Sequence, residues 1–244
     1  FLLLDDFRSD NPADYLKGFP WHPHRGIETI TYVLSGDVEH GDSLGNSGII
    51  SSGDVQWMTA GSGIIHQEMP KGDADGSMYG FQLWANLPAR DKMTRPRYRD
   101  ITADMIPEIV TEAGRVKVIA GSYGSAKGSV DDIFIDPLYL DVTLDADKSF
   151  QYPTPANHTV LLYVIAESGE TAGTTVMNRE LVLFGAGDEI AVTAGPAGLR
   201  FLLLSGKPLN EPIAWRGPIV MNTDEELQTA FREYQQGTFI KEPG

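Results

Sequence analysis

The hydrophobic and polar positions in the first half of the chain follow the pattern of short β-strands joined by turns. Residues 27–34 are rich in β-branched and aromatic side chains and end at Ser35-Gly36-Asp37, which is a turn signal. Similar stretches follow at 38–41, 48–50, 55–59 and 78–87. No helical period separates these stretches, so they predict an antiparallel sandwich or barrel.

The second half is also rich in predicted strands, which lie at 116–119, 138–144, 159–165, 181–184, 189–192 and 199–204. The turn at 185–188 resembles the turn at 52–54 in kind, which suggests a duplicated architecture. Near the end, Thr223 and Glu226 form a capping box that opens a helix, and Gly237 ends it. The apolar face of this helix consists of Leu227, Ala230, Phe231 and Tyr234. We expect the helix to pack on a barrel.

Residues 88–112 differ from both halves, because they carry a cluster of basic side chains and three prolines. We interpret this segment as a solvated connection between two domains, and a docking strip is the alternative. The predicted division is therefore an N-terminal domain over residues 1–115 and a C-terminal domain over residues 116–244. The predicted fold class is all-β, with two antiparallel sandwiches or barrels and a short C-terminal helix.

Composition and charge narrow the classes of partner. The net charge is −15, whereas nucleic-acid binding requires Lys and Arg to neutralise phosphates, so direct binding to DNA or RNA is disfavoured. The same charge argues against an anionic membrane surface, and no apolar run is long enough to span a bilayer. A regulatory role would therefore act through another protein.

The absence of cysteine excludes disulfides, thiolate metal sites and a cysteine nucleophile. It is compatible with a reducing compartment, and we expect a cytoplasmic, monomeric protein. The first residues lack an initiator Met and a basic region, so we interpret them as a strand of a chain whose N-terminus lies upstream.

Two short motifs carry the candidate chemistry: His22-Pro23-His24, and a second in which His66 and Glu68 are two residues apart. Side chains alternate along a strand, so each motif presents two ligands to one face of a sheet. Two such strands meeting inside a barrel would gather three imidazoles and one carboxylate. This set suits one divalent first-row metal ion and leaves two octahedral positions open, as a catalytic site requires.

The other two histidines have no partner at this spacing. His40 stands just before a turn and we expect it to be exposed, and His158 is predicted to be a loop residue, so both are left outside the site. A single His-x-His motif is often only a surface pair. Two ligand pairs of equal spacing among five histidines favour a metal site over that alternative.

These residues lie in segments that closely resemble the pirins, a branch of the cupin superfamily. The resemblance is carried by Trp21-His-Pro-His-Arg-Gly-Ile-Glu-Thr-Ile-Thr-Tyr32, by Asp42-Ser-Leu-Gly-Asn-Ser-Gly48, and by residues 53–70, which contain the second motif. Shorter matches at 83–88, 96–98 and 206–212 extend it over nearly the whole chain.

The resemblance implies a bicupin, in which two barrels of the double-stranded β-helix type share one chain and the N-terminal barrel alone holds metal. The pirin ligands fall on His22, His24, His66 and Glu68. Glu28 stands where many cupins place their carboxylate ligand, but in pirins the ligand is the later glutamate, so Glu28 would at best lie beside the ligands. The second half has no such motif, and its barrel is expected to be metal-free.

Pirins are associated with two activities. Several resemble quercetin 2,3-dioxygenases, which implies a flavonol-like aromatic substrate, O2 and a divalent ion, with Fe(II) first and Mn, Ni, Co, Cu or Zn as alternatives. In that mechanism Glu68 would act as the general base as well as a ligand. Other pirins are non-catalytic, metal-dependent partners of transcription factors or enzymes. A zinc hydrolase is a weaker third hypothesis, because the motif has no separate acid or base.

Neighbouring side chains leave two further questions open. Phe19, Trp21, Trp57 and Met58 could line an apolar pocket, although we interpret Trp57 and Met58 as core residues. Arg25 could hold an anionic group or form a surface salt bridge.

Overall fold

The structure, a computed structural model, describes residues 1–130, 133–135 and 137–241. It divides into two compact units: the first combines Phe1–Ala103 with Leu209–Gly244, and the second is Asp104–Pro208. Strands predominate, and the described residues contain two α-helices. The described part of the chain contains no helix that is both long and apolar enough to cross a membrane.

The N-terminal part of the first unit contains nine strands and one short helix. These elements are β1 (Leu3–Asp6), α1 (Pro12–Tyr15), β2 (Phe19–His24), β3 (Ile27–Ser35), β4 (Asp37–Asp42), β5 (Ser47–Ile50), β6 (Val55–Thr59), β7 (Ile64–Lys71), β8 (Tyr79–Asn86) and β9 (Arg97–Ile101). They form a five-stranded sheet in the order β1-β8-β3-β6-β9 and a four-stranded sheet in the order β2-β7-β4-β5, and neighbouring strands are antiparallel.

The two sheets of this unit face each other. Thr31 on β3 and Gln82 on β8 are opposite one another in the first sheet, and both donate hydrogen bonds to Glu68 on β7 of the second sheet. Because side chains alternate along a strand, residues in register with these three point into the same interior. The interior between the sheets therefore contains the strand carrying the second predicted motif.

The interpretation of residues 88–112 as a solvated connection is wrong for its central part. Residues Arg97–Ile101 form β9, which pairs with β6 at the edge of the five-stranded sheet. Lys92 is also buried, because its ammonium group donates to three oxygens, the carbonyls of Gly26 and Val220 and the side chain of Asn86. Lysine that is fully bonded in this way can lie in an interior.

The second unit consists of strands β10 (Glu108–Thr111), β11 (Gly114–Ala120), β12 (Ser122–Tyr123), β13 (Ala126–Lys127), β14 (Leu138–Leu144), β15 (Ser149–Pro153), β16 (Thr159–Thr171), β17 (Thr174–Met177), β18 (Leu181–Leu183) and β19 (Glu189–Gly206). Their main sheet runs β10-β11-β14-β19-β16-β17, with β15 on β19 and β18 on β16. The predicted strands at 189–192 and 199–204 are one continuous strand, since β19 pairs first with β15 and then with β14.

The C-terminal segment, which we define as residues 209–241, contains β20 (Ala214–Arg216), β21 (Ile219–Met221) and α2 (Asp224–Gln235). The capping box of α2 is present as predicted. The predicted division placed this helix in the second domain, whereas the structure places it in the first unit. The reason is its packing: Leu227 and Ala230 are buried with Ile219 and Met221, and Ile65 of β7 packs against this cluster. The prediction of an antiparallel all-β fold with a short C-terminal helix is confirmed.

Candidate metal centre

The two predicted motifs lie on adjacent strands. β2 and β7 pair antiparallel, with His22 opposite His66 and Phe19 opposite Glu68. An extra residue on β2 between Phe19 and His22 forms a β-bulge, and bulges re-aim side chains locally. His24 and His22 then point to the same side as His66, as the alternation of side chains predicts.

The three histidine side chains converge on one point. The Nε2 atom of His22 lies 3.0 Å from Nε2 of His24 and 3.0 Å from Nε2 of His66. One nitrogen from each ring can be chosen so that all three lie within 4.8 Å of one another. Three imidazoles on a common centre are a typical ligand set for a divalent first-row ion.

Hydrogen bonds to the far side of two rings fix which nitrogen carries the proton. Nδ1 of His22 lies 2.8 Å from the carbonyl oxygen of Pro20, and Nδ1 of His24 lies 3.0 Å from that of Pro218. A carbonyl can only accept, so each Nδ1 must donate, and the proton of each neutral ring is on Nδ1. The two Nε2 lone pairs therefore face each other across 3.0 Å, where a cation between them would satisfy both. The donor set fits a metal ion.

Neither His24 nor His66 takes up a proton near pH 7. Burial holds the pKa of His24 well below its ordinary value, and the neighbouring His66 and His22 lower it further. Burial likewise lowers the pKa of His66 to about 3, with smaller contributions from His22 and His40. Both rings are therefore neutral near pH 7, which is the state that a metal ion requires.

Glu68 reaches the edge of the histidine cluster. Its Oε2 atom lies 4.0 Å from Nε2 of His66, and the side chain is buried. Gln82 donates to both carboxylate oxygens at 3.0 and 2.9 Å, and the Thr31 hydroxyl donates to Oε1 at 3.1 Å. The indole N–H of Trp84 donates to the Gln82 side-chain oxygen at 2.8 Å, which fixes the direction of that amide. The carboxylate is thus held in one orientation.

Gln82, Thr31 and Trp84 are residues of this site that the sequence analysis missed. A signal existed, because Gln82 and Trp84 are two residues apart in the predicted strand at 78–87 and so share a face. The contact of Gln82 with Glu68 depends on the packing of one sheet on the other, which the alternation within a strand does not reveal.

The predictions for the other two histidines, His40 and His158, have different outcomes. His40, expected to be exposed, is only 7% exposed, so that prediction is wrong. It lies opposite Glu68 on the paired strand β4, and the Gln56 side-chain amide lies 2.8 Å from its Nε2 atom and also donates to Asp100. His158 lies in a loop of the second unit, as predicted, 3.1 Å from the Ser205 hydroxyl.

Glu28 lies away from the histidines. Glu28 and Thr31 point to opposite faces of β3, and Thr31 faces the site. The Glu28 carboxylate accepts a hydrogen bond from Thr59 on β6 at 2.7 Å. Burial raises the pKa of this carboxyl. These contacts give no support for a direct role of Glu28 in the metal centre.

Arg25 forms neither of the two predicted arrangements. It is 2% exposed, and its guanidinium pairs with Glu233 of α2 at 2.7 Å, so the salt bridge is buried at the arginine rather than on the surface. Of the aromatic candidates, Trp57 and Met58 are buried, which agrees with their interpretation as core residues, whereas Phe19 and Trp21 are exposed.

Comparisons with known proteins agree on the family of the chain. The family model described as pirin matches residues 1–85, and the model of the pirin C-terminal cupin domain matches residues 139–240. The chain is 44% identical to a Thermoplasma acidophilum protein whose name assigns it provisionally as a quercetin 2,3-dioxygenase, over 96% of this chain and 97% of that one. It is 46% identical to a pirin-like protein of Caulobacter vibrioides, over 98% of this chain and 87% of the relative.

A crystal structure of quercetin 2,3-dioxygenase from Acinetobacter baumannii is also similar, with a TM-score of 0.87 and 36% sequence identity. The similarity covers 98% of this chain and 85% of that structure. Matches to both halves and identity of this extent over nearly the full length leave one conclusion: the chain belongs to the pirin family.

Proposed function

We propose that this protein is a metal-dependent dioxygenase that cleaves flavonols such as quercetin with O2. The observation that carries the proposal is the convergence of three buried or half-buried imidazoles, two of them with the Nε2 lone pair fixed toward the centre, beside a buried carboxylate. The proposed ligands are His22, His24, His66 and Glu68. The names of the Thermoplasma relative and of the Acinetobacter structure support the choice of reaction.

Fe(II) is the first candidate for the ion, with Mn, Ni, Co, Cu and Zn as alternatives. Three imidazole nitrogens and one carboxylate oxygen suit all of these ions and leave two octahedral positions for substrate. When bound, the ion would supply a Lewis acid that lowers the pKa of the flavonol 3-hydroxyl.

Glu68 is the group that would accept the 3-hydroxyl proton. Its two oxygens are held by Gln82 and Thr31, so the carboxylate is oriented before substrate arrives. Trp84 in turn holds Gln82. A base fixed in this way needs little rearrangement to take the proton.

The flavonol must approach from the side of His22. The cavity beside Glu68, lined also by Phe7, Phe19 and Gln82, has a volume of about 10 Å³, which is room for one water molecule at most. Among the four proposed ligands His22 is partly exposed and the others are buried. O2 would then add across C2 and C4 of the deprotonated ring, and the C2–C3 and C3–C4 bonds would break. C3 would leave with its own oxygen as carbon monoxide, and both atoms of O2 would remain in the depside.

Oxygen consumption with quercetin tests the proposal. Protein reconstituted anaerobically with Fe(II), Mn, Ni, Co, Cu or Zn is compared with the Glu68→Ala and His66→Ala variants. His158→Ala is the matched control, since it removes a histidine of the second unit. We expect metal-dependent uptake in wild type and the control and none in the two site variants. One bound equivalent of each metal without oxygen uptake would refute quercetin cleavage and favour a protein partner instead.

A further inference from the structure

The C-terminal segment supplies a direct contact to a proposed metal ligand. The carbonyl of Pro218 accepts the hydrogen bond from Nδ1 of His24, from 194 positions further along the chain. Backbone bonding holds this carbonyl in place, because the Val220 N–H donates to the Arg25 carbonyl at 3.1 Å and Arg25 bridges to Ile219. A partner on the far side of a ligating imidazole fixes its tautomer and orientation. Without the segment, His24 would lose both constraints.

The residue after His24 makes the second connection. The Arg25 guanidinium donates to the Ser62 carbonyl at 2.7 Å, to the Glu233 carboxylate at 2.7 Å and to the Phe239 carbonyl at 2.8 Å. Its Cζ atom also lies 4.2 Å from the centre of the Phe239 ring. Ser62 is in the turn before β7, the strand of His66. One buried cation therefore joins both ligand strands to α2 and the chain after it.

The link that Arg25 makes between the ligand strands and α2 depends on its partner Glu233. Burying a charge without its partner is strongly unfavourable. Removing the Glu233 carboxylate charge would leave the buried Arg25 without its ion pair and should therefore weaken the docking of α2 as a whole. Since Pro218 and Glu233 belong to the same packed segment, loosening α2 would also loosen the carbonyl that orients His24.

We infer that the C-terminal segment is part of the metal centre, so that docking of α2 and metal binding favour each other. The inference rests on the proposed metal site. Two sites coupled through one equilibrium affect each other by the same factor, so the effect must be measurable from both ends. Glu233 and Arg25 are positioning residues in this arrangement, and neither is expected to touch the metal.

The first arm of the test measures metal affinity in full-length protein. Co(II) is titrated in competition with a chelator into wild type, Glu233→Gln and the control Glu225→Gln, which changes an exposed carboxylate in the first turn of the same helix. We expect about tenfold weaker binding and an altered Co(II) absorption spectrum for Glu233→Gln, and no change for the control. Equal affinities and spectra in all three proteins would overturn the inference.

The second arm needs no variant and so does not depend on the folding of one. Amide hydrogen exchange of α2 is measured in wild type with and without Co(II). We expect exchange in α2 to slow by a similar factor, about tenfold, when the metal is bound. Unchanged exchange in α2 at full metal occupancy would contradict the coupling. Absence of Co(II) binding to wild type would instead refute the proposed metal site itself.

Discussion

Lys92 is a buried cation whose hydrogen-bond acceptors are all neutral. Lys92 is only 1% exposed. Its Nζ donates to the Asn86 side-chain oxygen at 2.6 Å and to the carbonyls of Gly26 and Val220 at 2.8 and 3.0 Å. Burial lowers its pKa from 10.5 to about 8, and the more distant Glu211 and Glu226 oppose that change. This combination makes the stability of the fold depend on pH in a predictable direction.

The sign follows from the two pKa values. Between pH 8 and pH 10.5 the unfolded chain binds a proton at Lys92 that the folded protein does not bind. Burial of the charged Lys92 therefore destabilises the folded protein fully below pH 8, and this destabilisation decreases as the pH rises from 8 to 10.5. The difference between 10.5 and about 8 corresponds to about 3 kcal/mol of unfolding free energy, most of which is recovered by pH 10.

The variant Lys92→Met isolates this contribution, because methionine has a similar length and does not titrate. It removes one hydrogen bond from each of three acceptors, so we expect it to be less stable at every pH, by about 2–5 kcal/mol at pH 7. From pH 7 to pH 10, urea denaturation should show the gap between wild type and variant widening by about 2–3 kcal/mol.

The control for this prediction is Lys17→Met, which removes an exposed lysine. Its unfolding free energy should follow that of wild type at both pH values. If the gap between wild type and Lys92→Met stays constant from pH 7 to pH 10, then Lys92 titrates normally and the reasoning from its burial is wrong.

Three further predictions concern the surroundings of the metal centre. Gly26 and Gly45 both have φ in the left-handed region, at 79° and 89°, but only at Gly26 would an added Cβ lie 2.0 Å from a carbonyl oxygen. Thermal denaturation should therefore show a much lower melting temperature for Gly26→Ala than for Gly45→Ala. Burial holds the pKa of His66 at about 3, so the unfolding free energy of metal-free protein should fall as the pH drops below 6.5. Between pH 7.5 and pH 5, urea denaturation should show the unfolding free energy of His66→Gln falling by about 2 kcal/mol less than that of wild type. Equal decreases in the two proteins would contradict this. Gln82→Leu removes two hydrogen bonds from Glu68 and should weaken Co(II) binding in a chelator competition, whereas unchanged affinity would show that Glu68 needs no such support.

Much of the fold and the position of the three histidines could be predicted from local patterns. The stretch at 27–34 is rich in β-branched residues and became β3, and the Thr223 capping box marked the start of α2. His22 and His24, two residues apart, share a face because the period of a strand is two. Such features depend only on residues close in sequence, which is why they can be read without a structure.

The remainder depended on contacts between distant parts of the chain. Nothing near His24 indicates that the carbonyl of Pro218 will reach its ring, and Arg25 gives no local sign that its partner is Glu233. The domain assignment of α2 differed for the same reason, since its apolar face fits any apolar surface and only the tertiary packing selects β20, β21 and Ile65. Alternation within a strand identifies a face but not the element that covers it.

Contacts within the fold position the histidine side chains. His22 and His24 are oriented by the carbonyls of Pro20 and Pro218, and burial keeps His24 and His66 from taking up protons near pH 7. Among the described residues, Nδ1 of His66 has no hydrogen-bond partner, so this ring lacks the anchor that the other two possess. The Nε2 lone pairs of His22 and His24 face each other across 3.0 Å, an arrangement that a shared cation would satisfy. Ligands held in this way have little conformational freedom left to lose when a cation binds.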